Sequence, residues 1–260
     1  MGTAHVQGIH WGSRAKDWAG IQEHTAVPLY RAVLEKTGVC GKSRVLDVGC
    51  GAGTFCSLAA ALGASVAGID AAPALIALAE ARSTGADLRV GEMEELPFDD
   101  QAFDVVTGFN SFQYAASPVN ALRQARRVAR RRGLVSIAVW GKAEECEAAV
   151  CLAALGRLLP PPPPGTPGPF AMSLDRAMER LACEAELQPV ESGSVPCPFS
   201  YPNMETALLG LLSAGPAVRA IEHVGEEPVR EAIADAISPF QTHTGAISLK
   251  NSFSFLVARA

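Results

Sequence analysis

The chain lacks a long apolar run: nothing in it approaches the roughly 18 consecutive residues of a membrane span, and no basic start with an apolar core precedes His10. The expectation is a soluble, cytoplasmic protein that does not engage a membrane. Its seven cysteines (40, 50, 56, 146, 151, 183 and 197) include no C-x-x-C pair and no Cys/His spacing typical of zinc, and their odd number disfavours a complete disulfide set. A reduced, metal-free protein is expected. There is no cationic excess either, since 22 Lys and Arg stand against 27 Asp and Glu for a net charge of -5. That balance works against a polyanionic partner, and the run Arg126, Arg127, Arg130, Arg131 and Arg132 is too local to reverse it, so nucleic acid is not expected. No internal repeat is detectable. At 260 residues the chain has room for one well-cored domain with a substantial cap, and is short for two independent ones.

What is present, from Arg44 onward, is an alternation of β-rich runs with alanine-rich stretches of helical period: RVLDVG then FCSLAAALG, SVAGID then PALIALAEAR, DLRVG, FDVVTGF then VNALRQARRVARR, and GLVSIAVWG. This is the pattern of an α/β fold, a parallel sheet with helices on both faces. Pro73 after Asp70, and Ser117 with Pro118, mark helix starts. Ligands on such sheets bind at the carboxyl ends of the strands, where Gly49, Asp70, Gly91 and Asn110 fall.

The first strand ends in VLDVGCGAGTF, with glycines at 49, 51 and 53 before a helix. Such a turn aims backbone N–H groups at a ligand and admits it to the main chain. The dinucleotide fingerprint G-x-G-x-x-G would need glycine where Thr54 stands, and no lysine follows as a phosphate loop requires. Phosphate is therefore not the obvious ligand.

Around this core the organisation reads as an N-terminal helical cap over 1–40 carrying Trp11, Trp18 and Tyr30, then a cofactor-binding core over 41–140. Residues 141–173 form a cap insertion, a helix in ECEAAVCLAALGRLL followed by PPPPPGTPGPF, whose five consecutive prolines make an extended, stiff spacer. Residues 174–260 return to the core with a strand near 188–196 and a last strand in NSFSFLVAR, and a mostly helical insertion at about 199–245 supplies the rest of the cap. All three cap pieces are expected on the side of the strands' carboxyl ends, forming the acceptor pocket.

VLDVGCGAG, the acid in GIDAAPALIALAEAR, and VGEMEELPFDDQAFDVVTGFNSF together resemble the class I S-adenosylmethionine-dependent methyltransferases, in particular the small-molecule branch related to ubiquinone and menaquinone biosynthesis enzymes. The resemblance covers about 45–140. It implies a Rossmann-like, mostly parallel seven-stranded sheet and S-adenosyl-L-methionine as cofactor, with S-adenosyl-L-homocysteine as product. It also implies roles. Asp47 and the N–H groups of 49–51 would meet the methionine end, with Cys50 a small residue fitting the loop, and Asp70 would accept both ribose hydroxyls. Glu92 would accept from the adenine amino group and Met93 would pack on its ring. Ala71, Glu94, Asn110 and Ser111 complete the cofactor set. The W-x-x-x-A-x-x-W of Trp11 to Trp18 is similar to the family's W-x-x-x-A-x-x-Y, which puts Trp18 over the methionine end and its sulfonium. Each acid also has a plainer reading: Asp47 tying the turn together, Asp70 capping the next helix, Glu92 a solvated helix-start acid. Where the family turns with Pro-Gly-Gly, this chain has Arg131, Arg132 and Gly133, a turn that would lean on Gly133 and alter local stability.

Methyl transfer is an in-line displacement that needs alignment of a nucleophile and exclusion of water, plus a base if the nucleophile is a hydroxyl or phenol. The weak catalytic candidates are His10, His24, His223 and His243 as bases, with Gln113 and Tyr114 as positioning groups. The segment NSFQY, rather than Asn-Pro-Pro-Tyr, argues against the amide or nucleobase N-methylating branches. Leu208, Leu209, Leu211, Leu212, Phe199 and Phe240 suggest an apolar lid over a small, lipophilic acceptor, or plain core. Two rivals stand beside this reading: a protein of the same fold that keeps the cofactor but cyclises, decarboxylates or only binds, and a nicotinamide-dependent oxidoreductase. Thr54 and the lack of a Tyr-x-x-x-Lys set disfavour the latter. Acceptor identity, the atom methylated and the oligomeric state are left open.

Overall fold

The structure, a computed structural model, describes residues 2–163, 165–174 and 176–260. Pro164, the last of the five consecutive prolines, lies outside the described residues.

Helix α1 (Ala4–Gly12) and the short α2 (Ala15–Asp17) lead through a π-helical turn (Trp18–Gln22) and a 3-10 turn (Glu23–Ala26) into α3 (Val27–Thr37). The alternating core follows as β1 (Arg44–Val48), α4 (Thr54–Ala61), β2 (Ser65–Asp70), α5 (Pro73–Arg82), β3 (Asp87–Val90), β4 (Phe103–Phe109), α6 (Pro118–Val128) and β5 (Ala129–Trp140). After α7 (Ala149–Leu158) and α8 (Ala177–Glu184) come β6 (Gln188–Pro196) and β7 (Phe199–Tyr201). Helices α9 (Met204–Leu212), α10 (Gly215–Val224) and α11 (Glu226–Ile237) precede β8 (Ile247–Leu249) and β9 (Ser252–Arg259).

Seven strands form the central sheet in the order β3-β2-β1-β4-β5-β9-β6. The pairs among β1 to β5 are parallel, and β9 runs antiparallel between β5 and β6. The central strands are buried on both faces, which is why they read as near-continuous apolar runs. Successive residues serve opposite faces. Leu46 packs with Leu122, Ala125 and Met178 under α6 and α8, while Val45 packs with Tyr30, Phe55 and Ile76 on the side of α3 and α4.

The cap shares its core with the sheet. Leu208, Leu212, Ile233 and Ile237 belong to one cluster with Ala138, Phe253 and Phe255 of β5 and β9. No helix is long and apolar enough to cross a membrane among the described residues.

Three local expectations are corrected. The helix read across 145–159 starts at Ala149, because Glu147 pairs with Lys250 through its backbone N–H and its carboxylate, and Asn251 Oδ1 accepts from Ala148 N–H at 3.0 Å. The insertion at 199–245 opens with β7, which pairs antiparallel with β8 just beyond it in a separate two-stranded sheet. At the start of β5 the left-handed residue is Arg132 (φ +66°), not Gly133, whose own constraint is closeness: a Cβ there would lie 2.9 Å from the Arg130 carbonyl oxygen.

Candidate functional site

Strand β1 delivers Asp47 and then the glycine turn to the carboxyl edge of the sheet. Gly49 and Gly51 take φ of +77° and +55°, and both face close neighbours. A Cβ on Gly49 would stand 2.4 Å from Ser111 Cβ; one on Gly51 would stand 2.7 Å from Glu23 Oε1 and 3.4 Å from Trp18 Nε1. Glycine thus lets the end of β4 and the N-terminal segment close on the turn. The N–H groups of 49–51, expected to be free for a carboxylate, are used within the fold. Gly49 and Cys50 donate to the Ile69 carbonyl at 2.7 and 3.0 Å, and Gly51 donates to Asp70 Oδ2 at 2.9 Å. Asp70 Oδ1 accepts from Ala72 N–H at 2.9 Å, so this one carboxylate ties the turn to the start of α5.

Three acids surround the turn, two of them buried and Asp70 half-buried. Asp47 is 2% exposed and accepts from Thr107 Oγ1 at 2.7 Å; burial pushes its carboxyl up to about 8, against that hydrogen bond and with the charges of Glu23 and Asp70 adding to the rise. Asp70 is also raised, chiefly by burial. The third, Glu23, has no signature in sequence beyond being an acid in a helical stretch, and is 3% exposed. Its Oε1 accepts from Ala52 N–H at 2.8 Å, and its Oε2 accepts from Thr54 Oγ1 at 2.5 Å and from Arg82 at 2.6 Å. Burial still raises its pKa in spite of these partners. Arg82 donates in addition to the carbonyls of Ala52 and Ala19, stitching the N-terminal segment to the glycine turn. Among the described residues neither Asp47 nor Asp70 has an ion pair. The pocket therefore favours a cation.

Above the acids, buried polar atoms await partners. Trp18 Nε1, Ser111 Oγ and Gln113 Oε1 carry no hydrogen bond. Asn110 adopts φ +50° at the end of β4 and its Oδ1 accepts from Gln113 Nε2 at 3.2 Å. The Trp11 ring meets Trp18 edge-on at 4.8 Å and Tyr114 at 5.5 Å, and burial pushes the Tyr114 phenol up to about 12. Cys50 is an inert, buried filler, its thiol raised by the Cys56 thiol and by desolvation.

On the β2–β3 side, α1 lies over the strand ends. Glu92 Oε2 accepts from Ala4 N–H at 2.9 Å and its Oε1 from Glu94 N–H at 3.2 Å, so it is no free solvated acid. Gly8 sits so close to Ala71 that a Cβ would come within 2.3 Å of the Ala71 carbonyl oxygen. Glu94 Oε1 accepts from Ser117 N–H at 3.1 Å, and Met93 is half-buried against the sheet. The histidines do not join this cluster. His10 pairs with Glu222 at 3.0 Å, and His24, His223 and His243 are exposed, because each sits on the outward side of its helix or turn. Leu208, Leu211, Leu212 and Phe199 are buried in the shared core, as plain packing requires.

A mostly parallel sheet with a glycine turn after its first strand, an acid closing its second and a polar cluster over both defines a Rossmann-like α/β fold. Within it, residues 46–137 match the family described as "Methyltransferase domain". The chain is 38% identical over 97 residues to a ubiquinone biosynthesis O-methyltransferase of Maricaulis maris, covering 35% of this chain and 38% of that one. A protein of the same description from Xanthomonas oryzae pv. oryzae is 34% identical over 128 residues, 45% of this chain and 52% of its own. The chain thus spans about two fifths to one half of the length of these relatives. Among solved structures, a putative methyltransferase from Bacillus halodurans shares the fold with a TM-score of 0.57 at 15% identity, covering 88% of this chain and 97% of that one. The [4+2]-cyclase SpnF does so at 0.56 and 19%, covering 89% and 80%. The likeness to a methyltransferase domain thus covers 46–137, and the fold shared with these structures extends over most of the chain.

Proposed function

We propose that the protein transfers a methyl group from S-adenosyl-L-methionine to a small-molecule acceptor. The observation that carries this reading is the trio of acids around the glycine turn, Asp47 and Glu23 buried and Asp70 half-buried, with a single guanidinium among them and an unpartnered indole N–H above. A zwitterionic, cationic nucleoside fits this cluster of acids better than a phosphate does, because a bound cation favours the charged form of carboxyls that burial otherwise holds protonated. When bound, S-adenosylmethionine supplies a methyl carbon activated by a sulfonium. Asp47 and Ser111 Oγ would hold the methionine ammonium, Asp70 the ribose hydroxyls, and Glu92 and Met93 the adenine. Trp18 would present its ring to the sulfonium.

Glu92 already accepts from Ala4 N–H and Gly8 packs on Ala71, so room for the adenine and ribose beside them would come from movement of the N-terminal segment. The acceptor would sit beside Gln113 Oε1, against the aromatic wall of Trp11, Trp18 and Tyr114, which favours a lipophilic molecule with a polar nucleophile. With no histidine at that wall, rate rests on alignment and exclusion of water.

A thermal-shift panel tests the reading. S-adenosylmethionine and S-adenosylhomocysteine should raise the melting temperature and NAD should not; a shift with NAD alone ends it. With the cofactor accepted, retention of a labelled methyl on it while an acceptor is converted would place the protein among non-methylating users of this fold.

A further inference from the structure

The opposite edge of the sheet carries a second cleft that methyl transfer leaves unexplained. It has a volume of about 760 Å³ and lies where β5 begins, β6 begins and the antiparallel β9 ends. The seven residues of β4 separate this edge from the glycine turn by roughly 20 Å. Six of its arginines, 123, 126, 127, 130, 131 and 132, come from α6 and the first residues of β5, and Arg259 joins them from the end of β9. A neighbouring cleft of about 490 Å³ shares Arg130, Arg132 and Arg259 and adds Lys42. This density of cationic groups stands on a chain whose net charge is -5.

Carboxylates account for part of it only. Arg126 pairs with Glu186 at 3.0 Å, Arg127 with Asp100 at 2.6 Å, and Arg130 with Asp104. Arg123 donates to Asn120 and to the Glu184 carbonyl. Arg131, Arg132 and Arg259 have no side-chain partner among the described residues. A second, independent observation concerns the backbone. Arg132 is held at φ +66°, a left-handed conformation that favours glycine, although Gly133 is the next residue and does not take it. A strained conformation at a residue lining both clefts is the kind of outlier that accompanies binding sites.

We propose that this trough is a binding site for a small anion bearing two or more phosphate groups, read by the unpaired guanidiniums of Arg131, Arg132 and Arg259. Guanidinium forks match phosphate oxygens bidentately, and a volume of this size suits a small molecule. An extended nucleic acid fits less well, because the cationic groups are gathered in this one trough on a chain whose net charge is -5. The site lies outside the methyltransferase chemistry and does not depend on it.

The test uses the full chain, with tripolyphosphate, pyrophosphate and sulfate as probes, titrated calorimetrically at about 150 mM salt, where loose surface attraction is screened. Tripolyphosphate should bind more tightly than sulfate, at one site per chain. Arg132→Gly places a residue suited to φ +66° and so preserves the fold; together with Arg259→Gln it should weaken tripolyphosphate about tenfold or more, the size of a lost charge-assisted hydrogen bond. The melting temperature of this variant should hold or rise. Equal, weak binding of all three anions, or binding unchanged in the variant, overturns the site. A single-stranded oligonucleotide binding more tightly than tripolyphosphate overturns the ligand class.

Discussion

Asp70 accepts from Gly51 N–H and from Ala72 N–H, so one carboxylate shapes both the glycine turn and the entry to α5. Asp70→Ala should therefore weaken S-adenosylhomocysteine binding by about 1.5–3 kcal/mol, the range for charge-assisted hydrogen bonds, while the circular dichroism of the fold is retained. Calorimetric affinity equal to that of the unaltered protein would remove Asp70 from the site. Asp47 gives a pH prediction. Its carboxyl, ordinarily near 3.8, lies at about 8 in the folded protein, and Glu23 and Asp70 are raised as well. Between those values the folded state keeps a proton that the unfolded chain has lost. Stability is then greatest at the acid end of the window and falls as pH rises through about 8. Chemical denaturation without cofactor should show a lower unfolding free energy at about pH 8 than at about pH 5. Asp47→Asn, which keeps a partner for Thr107 Oγ1, should flatten that slope.

At the scale of the element, the proposed site requires the N-terminal segment to move when ligand enters. Amide exchange with and without S-adenosylhomocysteine should show protection near Trp18 and around 110–114, with little change at 130–133; protection confined to 45–95 would make the cap a static layer. The alternation of β1 to β5, the glycine turn and Asp70 were legible in the sequence because strand periodicity and turn chemistry are local. Glu23 was not. Its partners Ala52, Thr54 and Arg82 lie 29, 31 and 59 residues away, and in a helical stretch an acid reads as solvated. Geometry hid it further. Residues five apart on an α-helix diverge by about 140°, and only the π turn, with Glu23 N–H bonded to the Trp18 carbonyl, brings Trp18 and Glu23 to the same glycine. The β7–β8 pair escaped for a different reason: strands of three residues leave no period to detect. That the histidines lie outside the polar cluster was not legible, because spacing carries no information about which way a helix turns them.

Across the whole molecule, the cap and the sheet share one apolar cluster, so the insertion at 199–245 is no detachable module. Ile233→Ala, at a fully buried position, should cost about 2–5 kcal/mol. Denaturation of that variant should remain a single transition by both fluorescence and circular dichroism; an early, separate loss of the cap signal would contradict the shared core. The same wiring orders events during synthesis. Thr3 bonds the Tyr114 carbonyl, His10 pairs with Glu222, and Tyr201 donates to Gln22 at 2.7 Å. His10 and Gln22 thus meet these partners only after 212 and 179 further residues have been made, about ten seconds or more of elongation. Until then the helices around them lack those contacts, and their docking waits for the second half of the fold.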